Sequence, residues 1–384
     1  MNKLYPRLLT PPRQSFFLFG LRGVGKSSWA ALSFPGVTRV DLLDQALHGT
    51  YLASPEKFAD HLRALKNGSW VIIDEIQRLP ELLNEVHRFI EEKKLRFVLL
   101  GSSARKLRRA GVNLLGGRAL RKTMYPLLPE EMGVDFSIET AMRFGSLPIA
   151  LVSESPGETL LAYAQMYLRE EIQAEAQVRN LAGFARFLPV AALFHGQTLN
   201  VAGLARDAGV QRTTVNGYIE ILEDTLIAYR LPGYEARLRV KERKHPKLYW
   251  NDLGVLRAVK GQLERPTQEE RGPLFEGWIA NYLRAHRELG TIPYDEISYW
   301  SPMQARTEVD FLLRFGKRFV AIEAKAGASY SHDALSGLRA IADLEGVRRR
   351  ILVYQGRTSG KTNEGIEIMP LEEFLSAARE GFSL

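Results

Sequence analysis

The chain has no cysteine among its 384 residues. Disulfide stapling, thiolate metal sites and cysteine nucleophiles are therefore excluded, and the composition suits a reducing cytoplasm. The 7 histidines are scattered without metal-ligand spacing, so that lone ones such as His195 and His245 read as structural. No run approaches the roughly 18 apolar residues that a membrane-spanning helix needs. The first apolar run, residues 16–21, is short and leads straight into a glycine-rich loop and Lys26, which is not the pattern of a signal peptide. Internal repeats and low-complexity tracts are missing as well. The expected location is the cytoplasm, away from membranes.

What is present is the composition of an ordinary globular protein, 45% apolar and 25% charged. The length favours two or three domains. Lysine and arginine outnumber the acids 52 to 44, for a formal net charge of +8. Such a balance favours an anionic partner such as nucleic acid, although a basic surface that binds nothing gives the same number.

From about residue 14 to 126, short apolar runs alternate with helical patterns: FFLFG, a helix from Lys26, TRVDLL, a helix near 55–65, WVIIDEI, a helix near 80–92, and RFVLLGSS. The alternation predicts an α/β domain with a parallel sheet over residues 1–128. Residues 129–183 read as a helical lid and connector, with FGSLP as a turn and LLAYAQMYLREEIQAEAQ as a long amphipathic helix. Over 184–240 the stretches 199–208 and 211–222, joined by a turn at Gly209, have the lengths of a helix-turn-helix, and LIAYRLPGYEARLRV after them suits the β-hairpin of a wing. Residues 241–384 read as a mixed α/β domain, with a helix near 272–289 and strands near 297–300, 308–315, 318–324 and 350–354.

The segment GLRGVGKS follows an apolar strand and opens a helix, which is where a phosphate-binding P-loop must lie. Backbone amides freed by Gly20, Gly23 and Gly25 would cradle phosphate at the positive end of the helix dipole, with Ser28 at its margin. Lys26 would reach the β- and γ-phosphates of ATP, and the Ser27 hydroxyl would ligate Mg2+. A second signal is WVIIDEIQ, an apolar strand that ends in Asp74 and Glu75. An acid there can hold the magnesium shell, and the next can orient or deprotonate the attacking water. Adjacent acids alone usually mark a solvated strand end. The pairing with the loop favours the Walker B reading. The strand RFVLLG ends in Ser102 and Ser103, one of which suits a sensor of the γ-phosphate, although two serines also make an ordinary turn. Arg118, in the glycine-flexed GGR, is either an arginine that stabilises transition-state charge in phosphoryl transfer, at its own site or in trans at a neighbouring subunit's, or a solvated member of a basic stretch with Arg105, Arg108, Arg109 and Arg121.

Together GLRGVGKS, WVIIDEIQ, VLLGSSARKL and LLGGRALRKTMYPL resemble a family of bacterial and archaeal AAA-type ATPases whose members carry a C-terminal domain of unknown function 4143. FGSLP, YLREEI and LYWNDLGV also resemble that family, so the likeness covers nearly the whole chain. It implies an ASCE-type P-loop NTPase fold with Lys26, Ser27, Asp74 and Glu75 in the roles given above. It also implies a homo-oligomer, such as a ring, with a shared ATP site.

The second helix of the helix-turn-helix begins QRTTVNGYIE, so Gln211, Arg212, Thr213, Thr214 and Asn216 stand where side chains reach bases or phosphates of DNA. The same fold also serves as a mere packing module. In the last domain Glu276 lies on a helix, Asp310 at the head of a strand, and Glu323 and Lys325 on one face of the next strand, across the hairpin from Asp310. The acids suit a second Mg2+ site, and the lysine suits orienting a water for phosphodiester attack. These positions resemble the PD-(D/E)xK nuclease core of restriction endonucleases. No proline precedes Asp310, where Glu308 and Val309 stand instead, and a fold can outlive its chemistry.

The sequence thus predicts a three-part magnesium-dependent ATPase: a P-loop domain, a winged-helix-like module and a restriction-endonuclease-like domain, acting on DNA. Two other readings stay open, an ATP-regulated nuclease and a nucleotide-driven switch that binds protein and never touches DNA.

Overall fold

In the computed structural model, which describes residues 3–103, 107, 115–167, 181–235, 245–302 and 307–383, the apolar runs of the first third become strands. These are β1 (Phe16–Phe19), β2 (Thr38–Asp41), β3 (Trp70–Asp74), β4 (Arg96–Gly101) and β5 (Leu120–Thr123). They form one parallel sheet in the order β2-β3-β4-β1-β5. All four residues of β1 and the last five of β4 are buried, as expected for parallel strands covered on both faces. Helices α1 (Lys26–Ser33), α2 (Gln45–Ala53), α3 (Pro55–Arg63) and α4 (Leu82–Lys93) follow the strands. On one face Phe17, Phe19, Val71, Ile73, Phe97 and Leu99 pack with Phe58, Leu62, Val86 and Phe89 of α3 and α4.

Helix α2 is not foreseen from the sequence. Its start is set by Asp44, whose carboxylate accepts from the amides of Ala46 and Leu47 at 2.9 and 3.2 Å. Parallel pairing of Phe19 with Gly101 and of Ile73 with Leu99 brings the C-terminal ends of β1, β3 and β4 to one edge. There the chain leaves the sheet into the glycine loop, into Glu75 and into Ser102.

Contact density divides the chain into two compact units. The first holds Met1–Val134, Leu147–Leu181 and Glu220–Ile227, and the second holds Asp135–Ser146, Ala182–Ile219 and Ala228–Leu384. The connector is helical where described, with Pro129–Met132, Ile138–Phe144, Pro148–Leu151 and Pro156–Ala162, the last running into a π-helical turn over Tyr163–Tyr167. The rest of the expected long helix, with most of YLREEI, lies outside the described residues.

The helices Val201–Ala208 and Arg212–Asp224 are joined through Gly209, whose φ of 62° is left-handed. The expected hairpin differs from the prediction. Strand β7 (Ala228–Leu231) pairs antiparallel with β8 (Lys247–Trp250), which also pairs with β6 (Gln197–Thr198). The end of the predicted hairpin stretch, 236–240, lies outside the described residues. Lys247–Trp250 is buried throughout, and a central sheet position satisfies its backbone.

Helix Gln268–Leu289 opens with a capping box, in which the Thr267 hydroxyl accepts from the Glu270 amide and the Glu270 carboxylate accepts from the Thr267 amide. Strands β9 (Glu296–Trp300), β10 (Val309–Phe315), β11 (Arg318–Lys325), β12 (Val347–Tyr354), β13 (Gly360–Lys361) and β14 (Glu367–Pro370) make a mixed sheet ordered β13-β14-β12-β11-β10-β9. Val309, Leu312, Ala321, Leu338, Leu352 and Ile368 contribute to its core. The chain is α/β throughout, with a parallel sheet first, helices in the middle and a mixed sheet last.

Candidate functional site

The glycine loop takes its shape from backbone that only glycine adopts cheaply. Gly23 and Gly25 have φ of 74° and 95°. A Cβ on Gly25 would meet nothing closer than Pro148 Cγ at 3.9 Å, so conformation and not crowding selects glycine there. Gly20 is selected by space instead, since a Cβ would lie 2.6 Å from the Met124 carbonyl oxygen. Lys26, the first residue of α1, is buried, and its ammonium donates to the carbonyls of Gly20 at 2.7 Å and Leu21 at 3.1 Å. Ser27 is half-buried and Ser28 exposed.

Across the same edge Asp74 ends β3, only 2% exposed, and its Oδ2 accepts from Arg39 Nη2 of β2 at 2.6 Å. Glu75 adopts a left-handed φ of 57°, a conformation costing about 1 kcal/mol for a residue that is not glycine. Its carboxylate accepts from the buried amide of Gln77, which also donates to Ser102 Oγ at 3.0 Å. Gly101 makes room for this bridge, because a Cβ there would lie 2.6 Å from Gln77 Oε1. Of the two candidate sensors, Ser102 is therefore the one bonded to Glu75 through Gln77, whereas Ser103 is fully buried beside it. Hydroxyl and carboxylate oxygens at Ser27 and Asp74 are the hard donors magnesium takes, and the open amides of the glycine loop suit a phosphate chain. The donor set fits ATP with Mg2+.

Sequence reasoning missed Arg39 and Gln77. The only trace of Gln77 was its place two residues past Glu75 in DEIQ, and Arg39 is recognisable only once β2 is known to lie beside β3. It also missed the N-terminal segment. Arg7 donates to the carbonyls of Val24 at 3.2 Å and Tyr125 at 2.5 Å and lies 3.1 Å from the Glu131 carboxylate. Trp29 Nε1 donates to the Leu9 carbonyl at 3.1 Å. These bonds fasten the segment over α1, beside an open pocket of about 440 Å³ lined by Tyr5, Arg7, Leu8, Val24, Ser28 and Trp29.

Arg118 is not brought to the loop of its own chain. Leu120 pairs with Phe16, so Arg118 lies at the start of the strands, opposite the edge that carries Lys26 and Asp74. Four strand residues separate the two edges by roughly 13 Å. Its guanidinium instead pairs with Glu91 at 2.5 Å and holds that carboxyl below its ordinary pKa. Arg121 is exposed on β5, while Arg105, Arg108 and Arg109 lie outside the described residues. On the helix Arg212–Asp224 and the residue before it, Gln211, Arg212, Thr213 and Asn216 are exposed and Thr214 is half-buried.

In the second unit the sequence-selected Glu276, Asp310, Glu323 and Lys325 do come together. Asp310 Oδ2 accepts from the Ala324 amide at 2.9 Å, Glu323 Oε2 from the Asp310 amide at 3.3 Å, and Glu323 Oε1 from Lys325 Nζ at 2.6 Å. Two residues that the sequence did not single out as site groups join them, Lys247 and Glu308. Burial first, and then the Asp310 charge, raise Glu276 to about 7 and Glu323 to about 8. Among the described residues no set of three or more His, Cys, Asp or Glu side chains is arranged to hold a metal ion. The second magnesium site expected from Asp310, Glu323 and Glu276 is thus not preformed, and Lys247 Nζ stands 3.0 Å from Glu276 Oε1 and 3.9 Å from Asp310 Oδ1. His195 is buried, its Nδ1 accepts from the Trp250 amide at 3.2 Å, and burial lowers its pKa to about 3, which keeps it neutral. No helix among the described residues is long and apolar enough to cross a membrane.

Residues 12–133 match the model of an AAA domain, residues 136–265 the domain of unknown function DUF8612, and residues 271–374 the domain of unknown function DUF4143. Uncharacterized proteins of Mycobacterium tuberculosis and Mycobacterium bovis are each 27% identical over 378 residues, which is 96% of this chain and 80% of theirs. Among solved structures, the replication initiator DnaA bound to AMPPCP and single-stranded DNA is 12% identical over 55% of this chain and 82% of its own, with a TM-score of 0.26. A signal transduction ATPase with numerous domains from Pyrococcus horikoshii is 14% identical over 72% of this chain and 47% of its own, with a TM-score of 0.21. The glycine loop, the acidic end of β3 and the strand order that inserts β4 between β3 and β1 lie within the residues that match the AAA domain, and the C-terminal mixed sheet lies largely within those that match DUF4143.

Proposed function

We propose that the chain is a magnesium-dependent ATPase whose turnover is coupled to DNA. The observation that carries this reading is the convergence of Lys26 with Ser27, Asp74 with Glu75, and Ser102 at one edge of a single parallel sheet. The N-terminal cavity beside Ser28 and Trp29 would take the adenine, and the amides of Gly23 to Ser27 the phosphates. Lys26 would exchange its two loop carbonyls for the β- and γ-phosphates. Ser27 and Asp74 would hold Mg2+, which when bound neutralises charge on the transferring phosphoryl group. Glu75 would orient the attacking water and accept its proton, while Ser102 would contact the γ-phosphate. Release of phosphate then alters the bond that Gln77 makes between Ser102 and Glu75, so occupancy of the site changes contacts beyond it.

Arg118 stands away from its own loop, half-exposed, and this supports supply of its charge to a neighbouring subunit in a homo-oligomer. The DNA contact rests on the net charge of +8 and on the exposed Gln211, Arg212, Thr213 and Asn216 at the start of a helix that follows a tight turn. We expect steady-state ATPase activity to need Mg2+, to disappear in Lys26→Ala and Glu75→Gln, and to change on addition of duplex DNA in low salt. Hydrolysis that survives Lys26→Ala refutes the site. If DNA neither binds at low salt nor alters turnover, the DNA coupling is wrong and the protein-binding switch takes its place.

A further inference from the structure

The carboxylate cluster of the C-terminal domain raises a question that its spacing alone answers wrongly. Asp310, Glu323 and Lys325 on adjacent strands, with Glu276 on the helix behind, are residues that in a nuclease would hold divalent metal. The geometry assigns the place of that metal to the ammonium of Lys247, and we infer that the cluster is a metal-free ionic core without phosphodiesterase activity.

Lys247 is the first residue of β8, and its side chain is only 4% exposed. Its Nζ lies 3.0 Å from Glu276 Oε1, in contact with the Glu308 carboxylate and 3.9 Å from Asp310 Oδ1. The same ammonium stands 5.5 Å from the centre of the Tyr299 ring. The buried Tyr249, two residues on, donates its hydroxyl to Glu276. A Mg2+ ion needs oxygens at about 2.0–2.1 Å in a near-octahedral shell. An ion bridging Glu276 and Asp310 would have to sit between the oxygens that flank Nζ, so ion and ammonium exclude one another. The second Asp310 oxygen and both Glu323 oxygens are engaged too. Asp310 Oδ2 and Glu323 Oε2 accept from backbone amides, and Glu323 Oε1 accepts from Lys325.

The anchor of the intruding lysine explains why it stays. Glu308 occupies a position outside the acid pattern, two residues before Asp310, and pairs with Lys247. Removing one partner of such a buried pair is costly, whereas the intact set is self-consistent. The lysine is delivered by β8, which is held centrally by β6 and β7, so its backbone has no freedom to retract.

The test is Mn2+ binding to the full-length protein without nucleotide, followed by the loss of the free-ion paramagnetic resonance signal, with wild type, Asp310→Asn, Lys247→Met and the double variant. Wild type and Asp310→Asn are expected to bind Mn2+ equally. Lys247→Met is expected to gain a site at least tenfold tighter than any in wild type, and the double variant to lose it. Supercoiled DNA with Mg2+ or Mn2+ should stay intact with wild type. Mn2+ bound by wild type and lost in Asp310→Asn overturns the proposal, as does Asp310-dependent nicking. A folded Lys247→Met with no Asp310-dependent site overturns it as well. Should Lys247→Met fail to fold, the comparison of wild type with Asp310→Asn still decides.

Discussion

Replacing Gln77 by leucine tests the bridge between the acid that would activate water and the serine that would sense phosphate. The change keeps side-chain volume but removes the amide that donates to the Glu75 carboxylate and to Ser102 Oγ at 3.0 Å. A hydrogen bond to a charged group contributes roughly 1.5–3 kcal/mol. Without it Glu75, at a left-handed φ of 57°, loses the contact that orients its carboxylate. If that orientation matters only in the transition state, kcat should fall by about 10- to 150-fold. Gln77 touches no residue of the loop at Gly20 to Ser27 in these bonds, so affinity for a fluorescent ATP analogue should change less than about threefold. Gly101→Ala supplies an independent route to the same defect, because the new methyl would lie 2.6 Å from Gln77 Oε1. Once Glu75 is glutamine, loss of Gln77 should cost little more, since coupled residues are not additive. The assay is phosphate release at saturating Mg2+ and ATP, with binding measured separately. A kcat for Gln77→Leu within twofold of wild type, from protein with an unchanged circular dichroism spectrum, would refute the reasoning.

Three further outcomes follow from other contacts. Arg39→Ala frees Asp74 from a partner that is itself 39% exposed and so contributes only about 0.2–1 kcal/mol, which predicts up to about fivefold less Mg2+ for half-maximal turnover; an unchanged Mg2+ titration counts against it. Arg7→Ala leaves the buried Glu131 without its guanidinium, and denaturant unfolding should register a loss of roughly 3–5 kcal/mol together with weaker nucleotide binding; a loss under about 1 kcal/mol means the N-terminal segment is not a structural part of the site. Burial and repulsion raise Glu276 to about 7 and Glu323 to about 8, both above the unfolded carboxylate value, so the folded state holds extra protons between that value and these. Stability should therefore fall as pH rises from about 5 to 8, and Glu276→Gln should flatten the slope of Tm against pH over that window. A wild-type Tm that climbs across the same window contradicts the assignment.

Much of the proposed nucleotide site was legible because its parts are local. A P-loop is eight consecutive residues between a strand and a helix, and the positive φ at Gly23 and Gly25 is a property of glycine itself. The strands carrying Asp74 and Ser102 announce themselves as apolar runs that end in polar residues, and alternation with helices predicts the parallel sheet. The acid set Glu276, Asp310 and Glu323 with Lys325 was legible for a related reason, since a hairpin fixes its own register through the turn at Gly316.

What sequence alone does not determine is which side chain from a distant segment fills the space between such groups. Arg39 reaches Asp74 because β2 lies beside β3, and Gln77 reaches Ser102 because β4 is inserted between β3 and β1. Arg118 is removed from its own loop by the register of β5 against β1. Lys247 stands 63 residues from Asp310 in the chain. Only the packing of β8 beneath the helix that carries Glu276 turns a metal-like constellation into an ion-paired core. Local chemistry wrote the motifs; long-range register and burial decided which of them stay open to a ligand.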